Sequence, residues 1–121
     1  MIQKMLWIAL AAFALLAGNG FAQSGGTVTI DLAALNSAFD RKTITVPAGS
    51  RVIIHFDNRD RIPHNVSVYE NERALKVIYY GRIINGLQDV QYEFIAPEQP
   101  GSYFFRCDLH PRWMIGDFVV E

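Results

Sequence analysis

The stretch that decides the fold is Tyr103-Phe-Phe-Arg-Cys107-Asp-Leu-His110-Pro-Arg-Trp-Met114-Ile-Gly116, near the carboxyl end of the 121-residue chain. It places a thiol, an imidazole and a thioether within eight residues, at Cys107, His110 and Met114. Thiolate and thioether sulfur stabilise Cu(I), and imidazole binds both Cu(I) and Cu(II). Two histidines and a cysteine with a weak axial methionine are typical of a copper electron-transfer site. The stretch therefore predicts a copper site that still needs one histidine.

The chain has three histidines, so the missing ligand is either His55 or His64. Successive side chains of a strand point to opposite faces. His55 alternates with the apolar Ile54 and its neighbours, so it is predicted to face solvent. His64 shares the face of Val66 and Val68 and is predicted to point into the core from a strand end. We therefore assign His64 as the fourth ligand.

Each ligand taken alone has an ordinary structural interpretation. A single cysteine is often an inert buried thiol, a methionine usually packs in the core, and a histidine at a strand end is commonly just hydrogen-bonded. Cys107 is the only cysteine, so the chain has no internal disulfide. The chain also lacks the Cys-x-x-Cys-His motif of c-type haem and the paired cysteines of most zinc sites. The joint arrangement of the four residues favours a copper ion.

The first 22 residues have the pattern of a secretory signal peptide. Lys4 precedes an apolar run over residues 5–17, and the small residues Gly20 and Ala22 follow. The run is shorter than the roughly 20 residues that span a bilayer, although an uncleaved anchor is the alternative interpretation. We predict cleavage after Ala22, an exported or periplasmic location, and no membrane span after processing.

Residues 23–121 are long enough for one domain with a single core. Removal of residues 1–22 takes away Lys4 and no acidic residue, which changes the formal net charge from −1 to −2. A nearly neutral chain gives no indication of nucleic-acid binding. The function is therefore expected to reside in one small site of a monomeric domain.

Short alternating runs separated by turn residues predict an all-β fold, an antiparallel sandwich or barrel. The segment 74–80 is open to interpretation as a strand or a short helix. The other predicted strands are centred on Val28–Leu32, Ile44–Val46, Val52–Phe56, His64–Tyr69, Val90–Ile95, Ser102–Cys107 and Asp117–Val120.

From about Phe39 to Glu121 the chain resembles the cupredoxin family, the small blue-copper proteins similar to plastocyanin, amicyanin and pseudoazurin. The resemblance implies a Greek-key β-sandwich of about seven or eight strands, with copper held at one end between two loops. The matching stretches are Ile44-Thr-Val-Pro-Ala-Gly49, Val52-Ile-Ile-His-Phe-Asp-Asn58, His64-Asn65-Val66 and Tyr103-Phe-Phe-Arg-Cys107-Asp-Leu-His110-Pro111 with Met114 and Gly116.

The resemblance also implies roles for the ligands. His64, Cys107 and His110 would be the strong equatorial ligands and Met114 the weak axial one, and the copper would cycle between Cu(II) and Cu(I). The family commonly ties its two ligand loops together through the residue after the first histidine, here Asn65. The spacing of four from His110 to Met114 differs from the three of amicyanin and the five of plastocyanin.

We expect an electron carrier that is not an enzyme. Copper scavenging or delivery is the alternative, but it would favour exposed methionine clusters, and Met1 and Met5 lie in the leader. An open-site copper enzyme or a metal-free thiol hydrolase using Cys107 and His110 is the third possibility.

The expected partner is another redox protein that docks near His110, the usual exit for electrons in this family. Leu109 and Trp113 are candidates for an apolar patch there. The arginines Arg59, Arg61 and Arg112 suggest a basic copper end that attracts an acidic partner, with Asp60 and Asp108 balancing them in part. Ordinary solvated loop charges are the competing interpretation.

Overall fold

The computed structural model describes residues 26–121, so the predicted signal peptide lies outside the described part. Residues 26–121 contain no helix, and so this part of the chain has no helix that could cross a membrane. The strands of this part are β1 (Thr27–Leu35), β2 (Ala38–Phe39), β3 (Thr43–Val46), β4 (Arg51–Asn58), β5 (Ser67–Tyr69), β6 (Val77–Tyr79), β7 (Asp89–Ile95), β8 (Gly101–Arg106) and β9 (Ile115–Val120).

The strands form two sheets that pack face to face, which confirms the predicted all-β sandwich. One sheet has the order β2-β1-β4-β7 and the other the order β3-β9-β8-β5-β6. Two neighbouring pairs, β1 with β4 and β3 with β9, run parallel, whereas the sequence pattern suggested antiparallel strands throughout. The alternation of apolar residues is the same for both directions of pairing, so only the folded chain distinguishes them.

The core lies between the sheets and follows the predicted alternation. In β4, Val52, Ile54 and Phe56 are fully buried, while His55 and Asp57 on the opposite face are exposed. Successive side chains of a strand point to opposite faces. When one face of β4 packs against the core, the side chains on its other face therefore point toward solvent. His55 therefore points away from the core, as its position in the sequence predicts.

Two short segments explain why there are nine strands rather than seven or eight. The ambiguous segment 74–80 contains the strand β6, and the two-residue β2 was not predicted. Another difference concerns β5, which begins at Ser67, whereas the sequence suggested a strand from His64. His64 instead forms an isolated bridge to Ile84, with backbone bonds of 3.0 and 3.1 Å in the two directions.

Two glycines allow the loop between β6 and β7 to press against the segment that carries His64. A Cβ on Gly81 would lie 1.9 Å from the carbonyl oxygen of Val66. A Cβ on Gly86 would lie 2.3 Å from the carbonyl carbon of Arg61. Both neighbours are backbone atoms that a side chain cannot displace cheaply. The close approach places this loop directly behind one side of the site.

Candidate metal centre

Three of the four predicted ligands converge at one end of the sandwich. The Sγ atom of Cys107 lies 3.6 Å from Nδ1 of His64 and 3.7 Å from Nδ1 of His110. The ligand atoms of these three residues all lie within 4.8 Å of one another. His64 and Cys107 are fully buried, and His110 is partly exposed. The structure thus brings together two loops that are more than 40 residues apart in the chain.

Backbone hydrogen bonds hold the loop 107–114 in a compact conformation between β8 and β9. The N–H of His110 donates to the carbonyl of Cys107 at 3.1 Å, and the N–H of Met114 donates to the carbonyl of His110 at 3.1 Å. The N–H of Cys107 closes the loop by donating to the carbonyl of Met114 at 2.9 Å. Pro111 has no N–H to satisfy within this turn. The spacing of four residues between His110 and Met114 therefore fits a closed loop, in which Met114 donates a backbone hydrogen bond to His110.

Met114, the predicted axial ligand, is fully buried in the same apolar cluster as Cys107. Burial excludes bulk water from this side of the sulfur-rich centre. A thioether has no charge to desolvate, so it can occupy such a position at little cost. The placement of Met114 is compatible with the predicted axial role.

Asp60 orients His64 from the side opposite the thiol. Its carboxylate lies 2.7 Å from Nε2 of His64 and accepts hydrogen bonds from the N–H groups of Asn36 and Ser37. Burial raises the pKa of Asp60, but these hydrogen bonds outweigh it and lower the pKa overall. A histidine whose distal nitrogen contacts a carboxylate is fixed in orientation and made more basic at the other nitrogen. The carboxylate thus directs Nδ1 toward Cys107.

Sequence reasoning missed this role and treated Asp60 only as a partial counter-charge to nearby arginines. The contacts with Asn36 and Ser37 span 24 and 23 residues, and both of those residues have positive φ in the β1–β2 turn. No local pattern indicates such a long-range contact. Only the folded chain reveals it.

A second carboxylate, that of Asp108, joins the two ligand-bearing segments. Tyr69 donates to it at 2.5 Å, Ser67 at 2.6 Å and Arg106 at 2.9 Å. The guanidinium of Arg106 also lies 4.7 Å from the centre of the Tyr69 ring. Burial raises the pKa of Asp108, yet the hydrogen bonds outweigh burial and lower it. The carboxylate is therefore held ionised directly beside Cys107.

Asn65 completes this junction, as the family resemblance implies. Its side-chain Nδ2 donates to Asp108 at 2.7 Å, and its Oδ1 accepts from the backbone N–H of Asp108 at 2.8 Å. Nδ2 also donates to the carbonyl of Gly81 at 2.9 Å. Asn65 is fully buried, and its amide is satisfied within the protein. It links three loops around the site.

Burial sets the protonation behaviour of the remaining ligands. It raises the pKa of the Cys107 thiol, although the backbone N–H groups of Asn65, Leu109 and His110 partly offset the effect. Burial, reinforced by the neighbouring His64, lowers the pKa of His110. A cation in the site would counter the cost of a buried thiolate, and neutral imidazoles are the form that binds metals.

These observations fit a soft transition-metal ion. One thiol sulfur and two imidazole nitrogens converge, a thioether lies in the adjoining core, and a carboxylate positions one imidazole through its distal nitrogen. Within residues 26–121 no other group of three histidine, cysteine, aspartate or glutamate side chains is close enough to bind one ion. This mixture of nitrogen and sulfur donors suits copper.

Comparison with solved structures supports the same architecture. Auracyanin A, a "blue" copper protein from Chloroflexus aurantiacus, is 27% identical, with a TM-score of 0.71 over 79% of this chain and 100% of its own. Auracyanin from Roseiflexus castenholzii is 24% identical, with a TM-score of 0.69 over 80% and 99% of the two chains. Amicyanin from Paracoccus versutus is 22% identical, with a TM-score of 0.54 over 77% and 81%. The latter two similarities concern the fold alone.

Comparison with curated protein sequences finds no match. A family model, that of the cupredoxin-like domain, matches residues 6–120, which is nearly the whole chain. The match includes both histidine-bearing loops and the segment from Cys107 to Met114. The chain therefore belongs to the cupredoxin-like domain family.

Proposed function

We propose that this protein is a small exported blue-copper electron carrier, with one copper bound by His64, Cys107, His110 and Met114. The convergence of the two Nδ1 atoms on the Cys107 sulfur is the observation that carries the proposal. The 27% identity to auracyanin A, a "blue" copper protein, supports it. Copper bound there supplies reversible one-electron chemistry between Cu(II) and Cu(I).

The surrounding residues support rapid transfer by limiting movement. Asp60 holds the His64 ring, and the junction of Asn65 with Asp108 keeps the two ligand loops together. A centre whose ligands are already in place needs little rearrangement when its charge changes. His110 is the ligand that reaches the surface, so it is the proposed path for electrons between the site and a partner.

The decisive experiment is a copper titration of the processed protein, followed by visible absorption and electron paramagnetic resonance. We expect one equivalent of Cu(II) to produce an intense thiolate-to-copper band and narrow hyperfine splitting. Ascorbate should bleach the band, and reoxidation should restore it. A colourless protein that binds only Cu(I), or no copper, would contradict electron carriage and favour copper delivery or a metal-free thiol function.

Copper delivery is less well supported by the position of the ligands. A delivery protein exchanges its ion with a partner, which favours exposed and labile donors. Here His64, Cys107 and Met114 are fully buried, and the described part of the chain holds no further methionine. The same burial argues against an enzyme, because a substrate needs an accessible coordination position. These features support a permanently bound ion and a role as carrier.

Export is a further part of the proposal, with residues 1–22 removed and residues 23–121 acting as the mature monomeric domain. The protein isolated from the periplasm of an expressing bacterium should have the intact mass of residues 23–121, with Gln23 as its first residue. An Ala22→Arg variant should remain unprocessed, because signal cleavage requires a small residue at this position. A periplasmic or membrane-bound protein of full-length mass would contradict cleavage.

A further inference from the structure

The surface around His110 is rich in exposed apolar side chains. We call the loops 59–66, 80–88 and 107–114 together the site end. Six of the eleven large apolar residues exposed between residues 26 and 121 lie there: Ile62, Tyr80, Ile83, Leu87, Leu109 and Trp113. The Trp113 ring centre lies 5.4 Å from that of His110. Clustered exposed apolar groups that include a tryptophan are typical of a protein contact surface.

The site end carries an excess of positive charge that is not neutralised by ion pairs within the protein. The three loops contain four arginines and two aspartates. Asp108 contacts Arg106, and Asp60 contacts His64 and the β1–β2 turn, so both carboxylates are engaged by the protein itself. Arg59 pairs with Asp57 at 2.9 Å.

Three arginines remain, namely Arg61, Arg82 and Arg112. All three are exposed, and no carboxylate of residues 26–121 lies within ion-pair distance of them. Arg61 precedes His64 by three residues, Arg112 follows His110 by two, and Arg82 precedes the Ile84 that pairs with His64. Each of the three loops thus presents one free cation beside the apolar surface.

The neighbouring face of the protein has the opposite charge. A groove on the outer face of the β1–β4–β7 sheet is lined by four aspartates, Asp31, Asp40, Asp57 and Asp89, against the single Arg59 and the exposed His55. An approaching anionic surface is repelled from this face and attracted to the site end. Such an asymmetric charge distribution orients a partner before contact.

We infer that the site end docks an acidic redox protein, whose carboxylates meet Arg61, Arg82 and Arg112 around an apolar contact at Trp113. The inference rests on the proposed function and adds the chemistry of the partner. It also revises the basic set that the sequence suggested, because Arg59 is neutralised by Asp57 and Arg82 takes its place. A basic partner would meet three uncompensated cations at the point of closest approach to the copper ligands.

Two forms of one probe test the charge of the partner. Reduced cytochrome c with succinylated lysines is acidic, and the unmodified protein is basic, while both carry the same haem. The oxidised copper protein is mixed with each form in a stopped-flow instrument over a range of ionic strengths. We expect the rate with the succinylated form to be higher and to fall with salt, because screening weakens the attraction. The rate with the basic form should rise with salt or stay constant.

Charge reversal then locates the surface. Arg61→Glu, Arg82→Glu and Arg112→Glu should each slow reduction by the succinylated form about three- to tenfold at low salt. Arg73→Glu is the matched control, since Arg73 is also an exposed arginine and lies in the β5–β6 turn, at the end of these strands away from His64 and Gly81. It changes the net charge by the same amount and should leave the rate nearly unchanged.

The outcomes separate this inference from the proposed function. Equal rates with the two probes at all salt concentrations, or an equal effect of Arg73→Glu, would overturn the acidic partner while the copper centre still accepts electrons. Absence of any copper absorption change with either probe would instead contradict electron carriage, and the inference with it. The visible spectrum of every variant is compared with that of the unmodified protein, so a damaged site is recognised directly.

Discussion

A Cys107→Ser variant mixed with Cu(II) is expected to lose the intense visible band and the narrow hyperfine splitting of the unmodified protein. Both signatures require a copper–thiolate bond, and Cys107 is the only cysteine of the chain. Residues that merely orient a ligand cost about 10- to 100-fold in metal affinity when removed. Loss of the thiolate itself should therefore weaken copper binding by more than about 100-fold. Spectra and a competitive copper titration measure the two effects.

The two histidines of adjacent segments provide a matched comparison for the same experiment. His64→Gln removes an imidazole directed at the Cys107 sulfur and should also abolish the blue spectrum. His55→Gln changes a side chain that is 54% exposed on the opposite sheet face, and it should leave the spectrum unchanged. A normal spectrum for Cys107→Ser, or a lost one for His55→Gln, would contradict the ligand assignment.

An Asp108→Ala variant without copper is expected to lose about 3 kcal/mol of unfolding free energy. The Asp108 side chain is only 12% exposed and accepts hydrogen bonds from Ser67, Tyr69, Asn65 and Arg106. Its removal leaves buried donors without an acceptor and a partly buried guanidinium without its counter-charge. Urea unfolding of the variant and the unmodified protein measures the difference.

Two other variants test whether the effect comes from this junction. Asp108→Asn keeps the size of the side chain and one acceptor oxygen, but it places an amide donor against other donors, so an intermediate loss is expected. Asp31→Ala removes a carboxylate whose side chain is 86% exposed and should change stability by no more than about 0.5 kcal/mol. A loss for Asp108→Ala as small as that for Asp31→Ala would show that the junction contributes little.

The Asp108 junction has a consequence for the copper centre as well as for stability. Asn65 and Ser67 belong to the segment that carries His64, and Arg106 and Asp108 flank Cys107 in the other segment. The same hydrogen bonds that stabilise the fold therefore maintain the separation between His64 and Cys107. Loss of the junction should loosen the site before the sandwich unfolds.

Much of the site was predictable because its signals are local. The order of Cys107, His110 and Met114 within one loop determines which donors a single turn can present. The choice of His64 over His55 follows from the alternation of side chains along a strand, which is local because it depends on backbone geometry. The structure places His55 at the surface of β4, as that alternation predicts. His64 is in the interior, as expected, but it lies outside the strands, and its neighbours Asn65 and Ser67 are buried as well.

The partners of the charged residues were not predictable in this way. From the sequence, Asp60 and Asp108 are loop charges that partly balance the arginines, but in the structure both accept hydrogen bonds from groups distant in sequence. The sequence indicates a basic surface that includes Arg59, but Asp57 neutralises Arg59, and the sequence gives no reason to include Arg82. Charges interact over distances set by the folded chain, so their sequence positions do not identify their partners.

The sequence by itself determined the all-β class and the buried face of each long strand, and it supplied the candidate ligands His64, Cys107, His110 and Met114, since these depend on periodicity and on local motifs. The tertiary structure alone decided the parallel pairing of β1 with β4, the strands β2 and β6, and the surroundings of Asp60 and Asp108. Strands of two or three residues are too short to show a periodicity. Pairing direction and the contacts of buried carboxylates depend on which distant segments the packed core brings together.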